Sequence, residues 1–271
     1  MRIYRVLTMA MVLISLFLLS ACSWGAPTLS VVSYDYEGLR TMRAGEIDKR
    51  MLELWSYIEI NPYYGYMCHI SEKNGKLFVS SDWEYDDTFI MCGNNGYFVG
   101  VDIGEFDGWV TYYPYYSVFA PEIVGEPRMV AGENCRGLIG IDDRNGYALT
   151  GLAHLFTDRG ALYRLSLPEG ESDWTWSKVA DLPGCPRAYD YHEEAQTVYI
   201  VTSQELLALS TVDDSLTVLA DLDPWRHSGV TSVVALDGKV YVGMGMGIYE
   251  YDLATGQSLW YPLDFEKYVD R

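Results

Sequence analysis

Residues 231–263 have the sequence TSVVALDGKVYVGMGMGIYEYDLATGQSLWYPL, which is the clearest structural pattern in the chain. Short runs of β-branched and aromatic residues are separated by Asp237-Gly238 and Thr255-Gly256. Such residue pairs between strand-forming runs are typical of tight β-hairpin turns. The stretch therefore predicts four short antiparallel strands.

The pattern recurs upstream at nearly constant spacing. A shift of 42 residues aligns Val198-Tyr199-Ile200 with Val240-Tyr241-Val242. A shift of 44 aligns Leu162-Tyr163-Arg164-Leu165 with Leu206-Leu207-Ala208-Leu209. The chain therefore contains an internal repeat, and each copy predicts one small sheet.

The spacing of the repeats indicates the architecture. One residue marks the last strand of each copy: Trp55, Trp109, Trp176, Val218 and Trp260. The steps between them are 54, 67, 42 and 42 residues. Periods of about 40–50 residues with four short strands are typical of propeller blades, because one blade cannot bury both faces of its sheet alone. We predict an all-β fold, a β-propeller of about five four-stranded blades, with an inserted loop at about 114–137.

Local motifs refine this prediction. Asn74-Gly75 and Asn145-Gly146 match the turn at Asp237-Gly238. Residues 45–54 have apolar side chains at helical spacing, so the first blade is expected to be irregular. A strand at 29–34 is expected to complete the ring by pairing with the last blade.

The overall charge excludes one class of partner. The chain of 271 residues has 38 acidic and 19 basic residues and a net charge of −19. This field repels phosphate backbones, so we expect no nucleic-acid partner.

The first residues have the pattern of an export signal. Arg2 and Arg5 precede the apolar run 6–19, which ends at small residues. As a helix this run would span about 21 Å, less than the roughly 30 Å hydrocarbon core of a bilayer. A signal peptide is therefore favoured over a membrane span.

The sequence Leu19-Ser20-Ala21-Cys22 resembles the lipobox of bacterial lipoproteins. The resemblance implies a signal peptide at 1–21, lipidation of Cys22, a tether at 22–30 and a propeller domain at 31–271. It also implies an extracytoplasmic protein anchored to a bacterial membrane, the outer one by default where there are two. The alternative is an ordinary cleaved signal with an incidental cysteine.

The final repeat is similar to those of quinoprotein-type propellers. The shared elements are Asp237-Gly238, Val240–Gly243, Ile248–Asp252, Thr255-Gly256 and Trp260. The resemblance implies the fold more than the cofactor, because quinoprotein dehydrogenases have eight blades and this chain is too short for them. We expect no cofactor.

Four cysteines follow Cys22 in the chain. They are Cys68, Cys92, Cys135 and Cys185, and none forms a C-x-x-C motif. A Cys68–Cys92 disulfide is the preferred pairing, since both fall in successive strands of one proposed repeat. Buried free thiols are the alternative.

The polar residues contain no metal or nucleophile motif. The histidines His69, His154, His192 and His227 are scattered, so no metal site is predicted. Glycines at 243, 245 and 247 precede a predicted strand, which favours close packing near the propeller axis over phosphate binding. The pairs Asp86-Asp87, Asp142-Asp143 and Asp213-Asp214 are typical of turns.

The tyrosines are the candidate binding residues. They cluster as Tyr63, Tyr64, Tyr112, Tyr113, Tyr115 and Tyr116. Consecutive residues of a strand point to opposite faces, so part of each cluster must face away from one sheet surface. Exposed tyrosine offers flat apolar area and a hydroxyl, which suit sugar rings and peptides. Packing between blades is the competing interpretation.

Two classes of function fit these observations. The preferred one is a non-catalytic binding or assembly module for protein or glycan. The other is a glycosidase-like five-bladed propeller, which needs two carboxyl groups about 5–9.5 Å apart. Its candidate acids are Asp82, Asp102, Asp190 and Glu250, and no catalytic residue is assigned among them.

Overall fold

A computed structural model describes residues 32–33, 69–72, 77–80, 88–104, 108–117, 120–123, 125–221, 229–244 and 247–262. These residues form twenty β-strands and no helix, which confirms the all-β prediction. The described part of the chain accordingly contains no helix long and apolar enough to cross a membrane.

The strands follow one another through short turns. In chain order they are β1 Val32–Ser33, β2 His69–Glu72, β3 Leu77–Ser80, β4 Thr88–Gly93, β5 Gly96–Val101, β6 Trp109–Ser117, β7 Ala120–Ile123, β8 Arg128–Ala131, β9 Cys135–Gly140, β10 Asn145–His154, β11 Thr157–Ser166, β12 Thr175–Leu182, β13 Pro186–His192, β14 Thr197–Thr202, β15 Glu205–Ser210, β16 Leu216–Asp221, β17 Val230–Leu236, β18 Lys239–Met244, β19 Gly247–Asp252 and β20 Ser258–Pro262.

The strands form five antiparallel sheets, each built from one continuous part of the chain. Blade 1 has the order β1-β3-β2, and blade 2 has the order β4-β5-β6-β7, with β8 also paired to β6. Blades 3, 4 and 5 contain β9 to β12, β13 to β16 and β17 to β20, each in up-and-down order. The five sheets correspond to the five predicted blades.

Packing between the sheets arranges them about a common axis. The first strands of successive blades contact one another: β4 packs on β9, β9 on β13, and β13 on β17. β17 then packs on β2 of blade 1, where the Ile70 backbone N–H donates to Ser232 Oγ at 2.8 Å. First strands therefore surround the axis, which is the arrangement of a β-propeller.

The core lies between blades rather than within one sheet. One apolar cluster joins blades 2 and 3, a second joins blades 3 and 4, and a third joins blades 4 and 5. Between blades 2 and 3, Trp174 meets Phe98 edge to face at a centroid distance of 5.1 Å. Close approach also needs small residues: a Cβ at Gly137 would overlap the ring of Tyr189.

The sequence repeat matches equivalent strands. The residues aligned at a shift of 42 lie in β14 and β18, the second strands of blades 4 and 5. Those aligned at 44 lie in β11 and β15, which are both third strands. Asp237 and Gly238 have φ of 50° and 75° and form the predicted turn. The repeat therefore identified blade positions correctly.

Two predicted turn features are wrong. Asn145 and Gly146 begin β10, and the turn before them is held by Asp142, whose Oδ1 accepts from the Arg144 backbone N–H at 2.7 Å. Gly243 and Gly247 flank the hairpin between β18 and β19, the second and third strands, and therefore do not lie at the axis. As predicted, a strand follows Gly247, and no helix N-terminus is available there for phosphate.

The loop expected at 114–137 is also wrong. β6 runs through Pro114 to Ser117, and β7 and β8 together supply the outer edge of blade 2. Pro114 pairs with Gly96, the first residue of β5, so its missing N–H falls at the end of that neighbour. Trp109 consequently lies in a third strand rather than a last one.

Blade 1 closes differently from the prediction. β1 pairs with β3 of its own blade, Val32 opposite Val79, and not with blade 5. Trp55, Asn74-Gly75, Asp86-Asp87 and the helix expected at 45–54 lie outside the described residues.

The strand directions define two faces of the ring. Blades 3, 4 and 5 each have four strands in up-and-down order, so the last strand ends at the same face of the ring at which the first strand begins. We call this the upper face. The other end of the first strands is the lower face. The hairpins β10–β11, β14–β15 and β18–β19 therefore lie at the upper face.

Candidate functional site

The two surfaces of blade 2 differ in how far they are covered. Along β5, buried and half-buried residues alternate. Phe98 and its cross-strand neighbour Tyr112 are fully buried in the cluster that joins blades 2 and 3. The opposite surface carries half-buried side chains, so among the described residues it is the more exposed surface of this blade.

Two tyrosines are stacked on this more exposed surface. Tyr97 of β5 and Tyr113 of β6 are directly opposite in register, and their rings lie 5.2 Å apart at 9° to one another. Both are half-buried. The close, nearly parallel arrangement holds the rings in one orientation, since neighbouring strands position both ends of the pair.

Apolar residues extend the surface toward the axis. Ile90 of β4 is 66% exposed, although isoleucine is among the residues most often buried. Val99 lies opposite Ile90 and is half-buried, and Cys92 lies opposite Tyr97 and is exposed. We call the surface formed by Ile90, Cys92, Tyr97, Val99 and Tyr113 the tyrosine face. It offers flat apolar area and phenol hydroxyls, which suit an extended peptide or a sugar ring.

The structure separates the predicted tyrosines. Tyr112 is fully buried, its hydroxyl donates to the Asn95 carbonyl at 2.8 Å, and Arg128 lies 5.0 Å from its ring centroid. It is therefore a core residue, which corrects its assignment to a binding surface. Tyr115 and Tyr116 belong to β6, but their side chains, like Tyr63 and Tyr64, lie outside the described residues.

Tyr97 and Ile90 were missed by the sequence reasoning. A short strand over 96–101 was available as a signal, because adjacent residues of a strand point to opposite surfaces, which places Tyr97 opposite in direction to Phe98. What the alternation does not reveal is which of the two surfaces a neighbouring blade covers.

The cysteines of the described residues are free. Cys92 is an exposed thiol, so the structure contains no disulfide at this position, and its predicted partner Cys68 lies outside the described residues. Cys135 and Cys185 are buried, as in the alternative interpretation. Burial raises the pKa of Cys135 to about 12, which keeps it a neutral thiol.

Asp102 is a structural partner of an arginine. Its carboxylate is 1% exposed and lies 2.6 Å from Arg136 Nη1, and Arg136 is 11% exposed. The other oxygen of Asp102 accepts from the Gly104 backbone N–H at 2.9 Å. The pair joins blades 2 and 3 at the upper face, where it satisfies two charges that would be costly to bury alone.

Glu250 is held within blade 5. Its carboxylate pairs with Lys239 of the neighbouring strand and accepts from the Tyr261 hydroxyl at 2.9 Å. Because the three side chains lie on three adjacent strands, this acid ties β18, β19 and β20 together.

Asp190 is the predicted acid nearest the axis. Its Oδ2 accepts from the Ala235 backbone N–H at 2.8 Å, which links β13 to β17. Burial raises the pKa of Asp190, and the nearby Glu72 carboxylate contributes in the same direction. Asp82 lies outside the described residues.

The histidines remain separate in the described part of the chain. His69 is half-buried at the contact between blades 5 and 1, and His192 accepts from the Ala195 backbone N–H at 3.2 Å. His154 is half-buried in β10, and His227 lies outside the described residues. Within the described ranges no three His, Cys, Asp or Glu side chains are grouped as metal ligands would be.

No protein-family model and no curated protein matches this chain. Among solved structures, it is similar to the extracellular domain of a hybrid two-component system from B. thetaiotaomicron, with 13% identity and a TM-score of 0.45 over 74% of this chain and 26% of that one. It is also similar to a GH74 enzyme of Niastella koreensis, with 10% identity and a TM-score of 0.45 over 73% and 36% of the two chains.

A third similar structure is the Nup133 β-propeller domain of Vanderwaltozyma polyspora, with 9% identity and a TM-score of 0.29 over 61% of this chain and 56% of that domain. The chain spans about a quarter of the first structure's chain and about a third of the second. The fold assignment stands on the sheets and their packing described above.

Proposed function

We propose that this protein is a lipid-anchored, extracytoplasmic binding module whose tyrosine face holds a protein or glycan ligand. The observation that carries the proposal is the Tyr97–Tyr113 stack on the more exposed surface of blade 2 next to exposed Ile90. Half-buried aromatic rings held rigidly beside an exposed isoleucine form an apolar surface of the kind that a binding partner covers.

The state of the predicted acids also favours binding over catalysis. Asp102 and Glu250 are each engaged with a basic side chain in different blades. A glycosidase needs two carboxyl groups directed at one bond, and these two are engaged separately in different blades.

The proposal is tested on glycan and peptide arrays with the purified chain. Tyr97→Ala and Tyr113→Ala should each weaken a ligand found by wild type about tenfold, as expected when an aromatic anchor is removed. Phe156→Ser is the matched control, because it changes an exposed aromatic on blade 3, away from the tyrosine face. Equal binding by all four proteins would refute the tyrosine face as the site.

The anchor is tested separately. Mass spectrometry of the membrane-extracted protein should find a diacylglycerol-modified Cys22 as the first residue, and Cys22→Ala should lose both the modification and membrane retention. An unmodified N-terminal peptide in wild type would refute the lipid anchor and leave the array result unaffected.

A second candidate function is glycoside hydrolysis. Asp190, with its pKa raised by burial, has the character of a general acid, and Glu72 is a nearby carboxylate on the facing first strand. A screen of chromogenic glycosides distinguishes the two functions. Turnover by wild type that is lost in Asp190→Asn would establish the enzyme, whereas a binding module shows no turnover in either protein.

A further inference from the structure

The hairpin between β10 and β11 projects beyond its own sheet. β9 pairs with β10 as far as Thr150, and β12 pairs with β11 as far as Gly160. The pairing of β10 with β11 continues past both points to His154 opposite Thr157. Three residue pairs therefore stand about 10 Å above the sheet at the upper face, since a strand rises roughly 3.3 Å per residue. We call Leu152–Arg159 the finger.

The tip of the finger combines two unfavourable features. Leu155 and Phe156 are 84% and 104% exposed, and Leu155 has φ of 52°. The first position of a two-residue hairpin loop with positive φ normally takes glycine. The matching upper hairpin of blade 4 turns instead through polar Ser203 and Gln204 and has no overhang. Strain and apolar exposure at one projecting point are characteristic of a contact site.

The direction of β1 places the chain's entry on the same face. β1 is antiparallel to β3, and its first residue, Val32, lies opposite Val79, near the upper end of that strand. The chain therefore enters blade 1 from the upper face. Val32 follows Cys22 by ten positions, a reach of at most about 35 Å. A lipid on Cys22 would therefore be joined to the propeller by a segment that enters it at the upper face.

The charges favour the same orientation. Exposed carboxylates crowd the lower turns: Asp142, Asp143, Glu193, Glu194 and Asp213. Near the finger, Glu133 lies 3.2 Å from Arg159, and Asp158 accepts from the Cys185 backbone N–H at 2.9 Å and from the Ser203 hydroxyl at 2.7 Å. An anionic bilayer therefore repels the lower face more strongly than it repels the finger.

We propose that Leu155 and Phe156 insert into the interface of the lipid bilayer as a second membrane contact beside the lipid at Cys22. This inference rests on the proposed anchoring. One acylated end leaves a body free to rotate, and insertion of two apolar side chains of the propeller restricts the rotation. The tyrosine face of blade 2 is then presented at a constant orientation to the membrane.

The test uses the full acylated chain in vesicles of phosphatidylethanolamine and phosphatidylcholine. A photoreactive benzoylphenylalanine replaces Phe156, and matched variants carry it at Gln204, on the upper face without an overhang, or at Val212, which is 74% exposed on the lower face. Illumination should give at least about tenfold more lipid adduct at position 156 than at either control, as expected for insertion at the interface.

Equal lipid adducts at positions 156 and 204 would overturn insertion, because nearness to the membrane alone would then explain the labelling. A protein adduct at 156 in intact cells, with no lipid adduct, would assign the finger to a partner protein instead. The acylation of Cys22 is measured by mass spectrometry in the same samples, so failure of the anchor is recognised independently of failure of the finger.

Discussion

Replacing Asp102 by asparagine removes one charge from the buried pair that joins blades 2 and 3. The carboxylate is 1% exposed and its partner Arg136 is 11% exposed, so the substitution removes the carboxylate charge that lies against a largely buried guanidinium. Loss of one member of a buried pair costs about 3–5 kcal/mol, and asparagine retains an oxygen for the Gly104 N–H, which favours the lower end. About 3 kcal/mol corresponds to a fall in Tm of roughly 6–12 °C for a domain of this size.

Urea unfolding and calorimetry measure the effect. The double variant Asp102→Asn with Arg136→Met should recover most of the loss, because it leaves no unpaired charge. Asp181→Asn, at the exposed ion pair with Lys178, is the control and should leave stability unchanged. If Asp102→Asn unfolds like wild type, the pair does not stabilise the fold and the structural assignment is refuted.

Three further predictions concern stability. Burial lowers the pKa of His69 below 6.5, so the unfolded chain binds the proton first as pH falls. The free energy of unfolding should therefore decline below about pH 6.5 more steeply in wild type than in His69→Gln. Urea unfolding at several pH values measures this, and parallel curves for the two proteins would contradict it. Gly137→Ala should cost about 1–3 kcal/mol by overlap with Tyr189, whereas Gly132→Ala, with space around it, should be neutral in the same assay. Leu155→Gly should raise the free energy of unfolding by about 0.5–1 kcal/mol, because glycine adopts a positive φ without strain and this gain exceeds the entropy cost of glycine. A lower Tm than wild type would contradict the strained turn.

The blades were predictable because their information is local. Asp237-Gly238 specifies its hairpin through residues that are adjacent in sequence, and the shift of 42 transfers the result to β14. Pro114 misled the prediction for the same reason: a proline normally marks a loop, but here it lies where β6 passes the end of β5. Whether β6 can include this proline depends on where the neighbouring strand ends. A local sequence pattern carries no information about that neighbour.

The site was only partly predictable. The sequence identified the tyrosine cluster that contains Tyr113, and strand alternation separates Tyr113 from Tyr112 onto opposite surfaces. Which surface is more exposed depends on blade 3, where Trp174 covers the Phe98 side. The pairing of Asp102 with Arg136 likewise joins two blades, so no spacing rule within one repeat could reveal it.

Because every blade is formed by one uninterrupted stretch of chain, blades 5 and 1 are joined between β17 and β2 by side-chain packing and the Ile70–Ser232 hydrogen bond, with no strand exchanged there among the described residues. This junction involves the inner strands alone. An in-frame copy of one blade would therefore need only to re-form the same junction to be added to the fold.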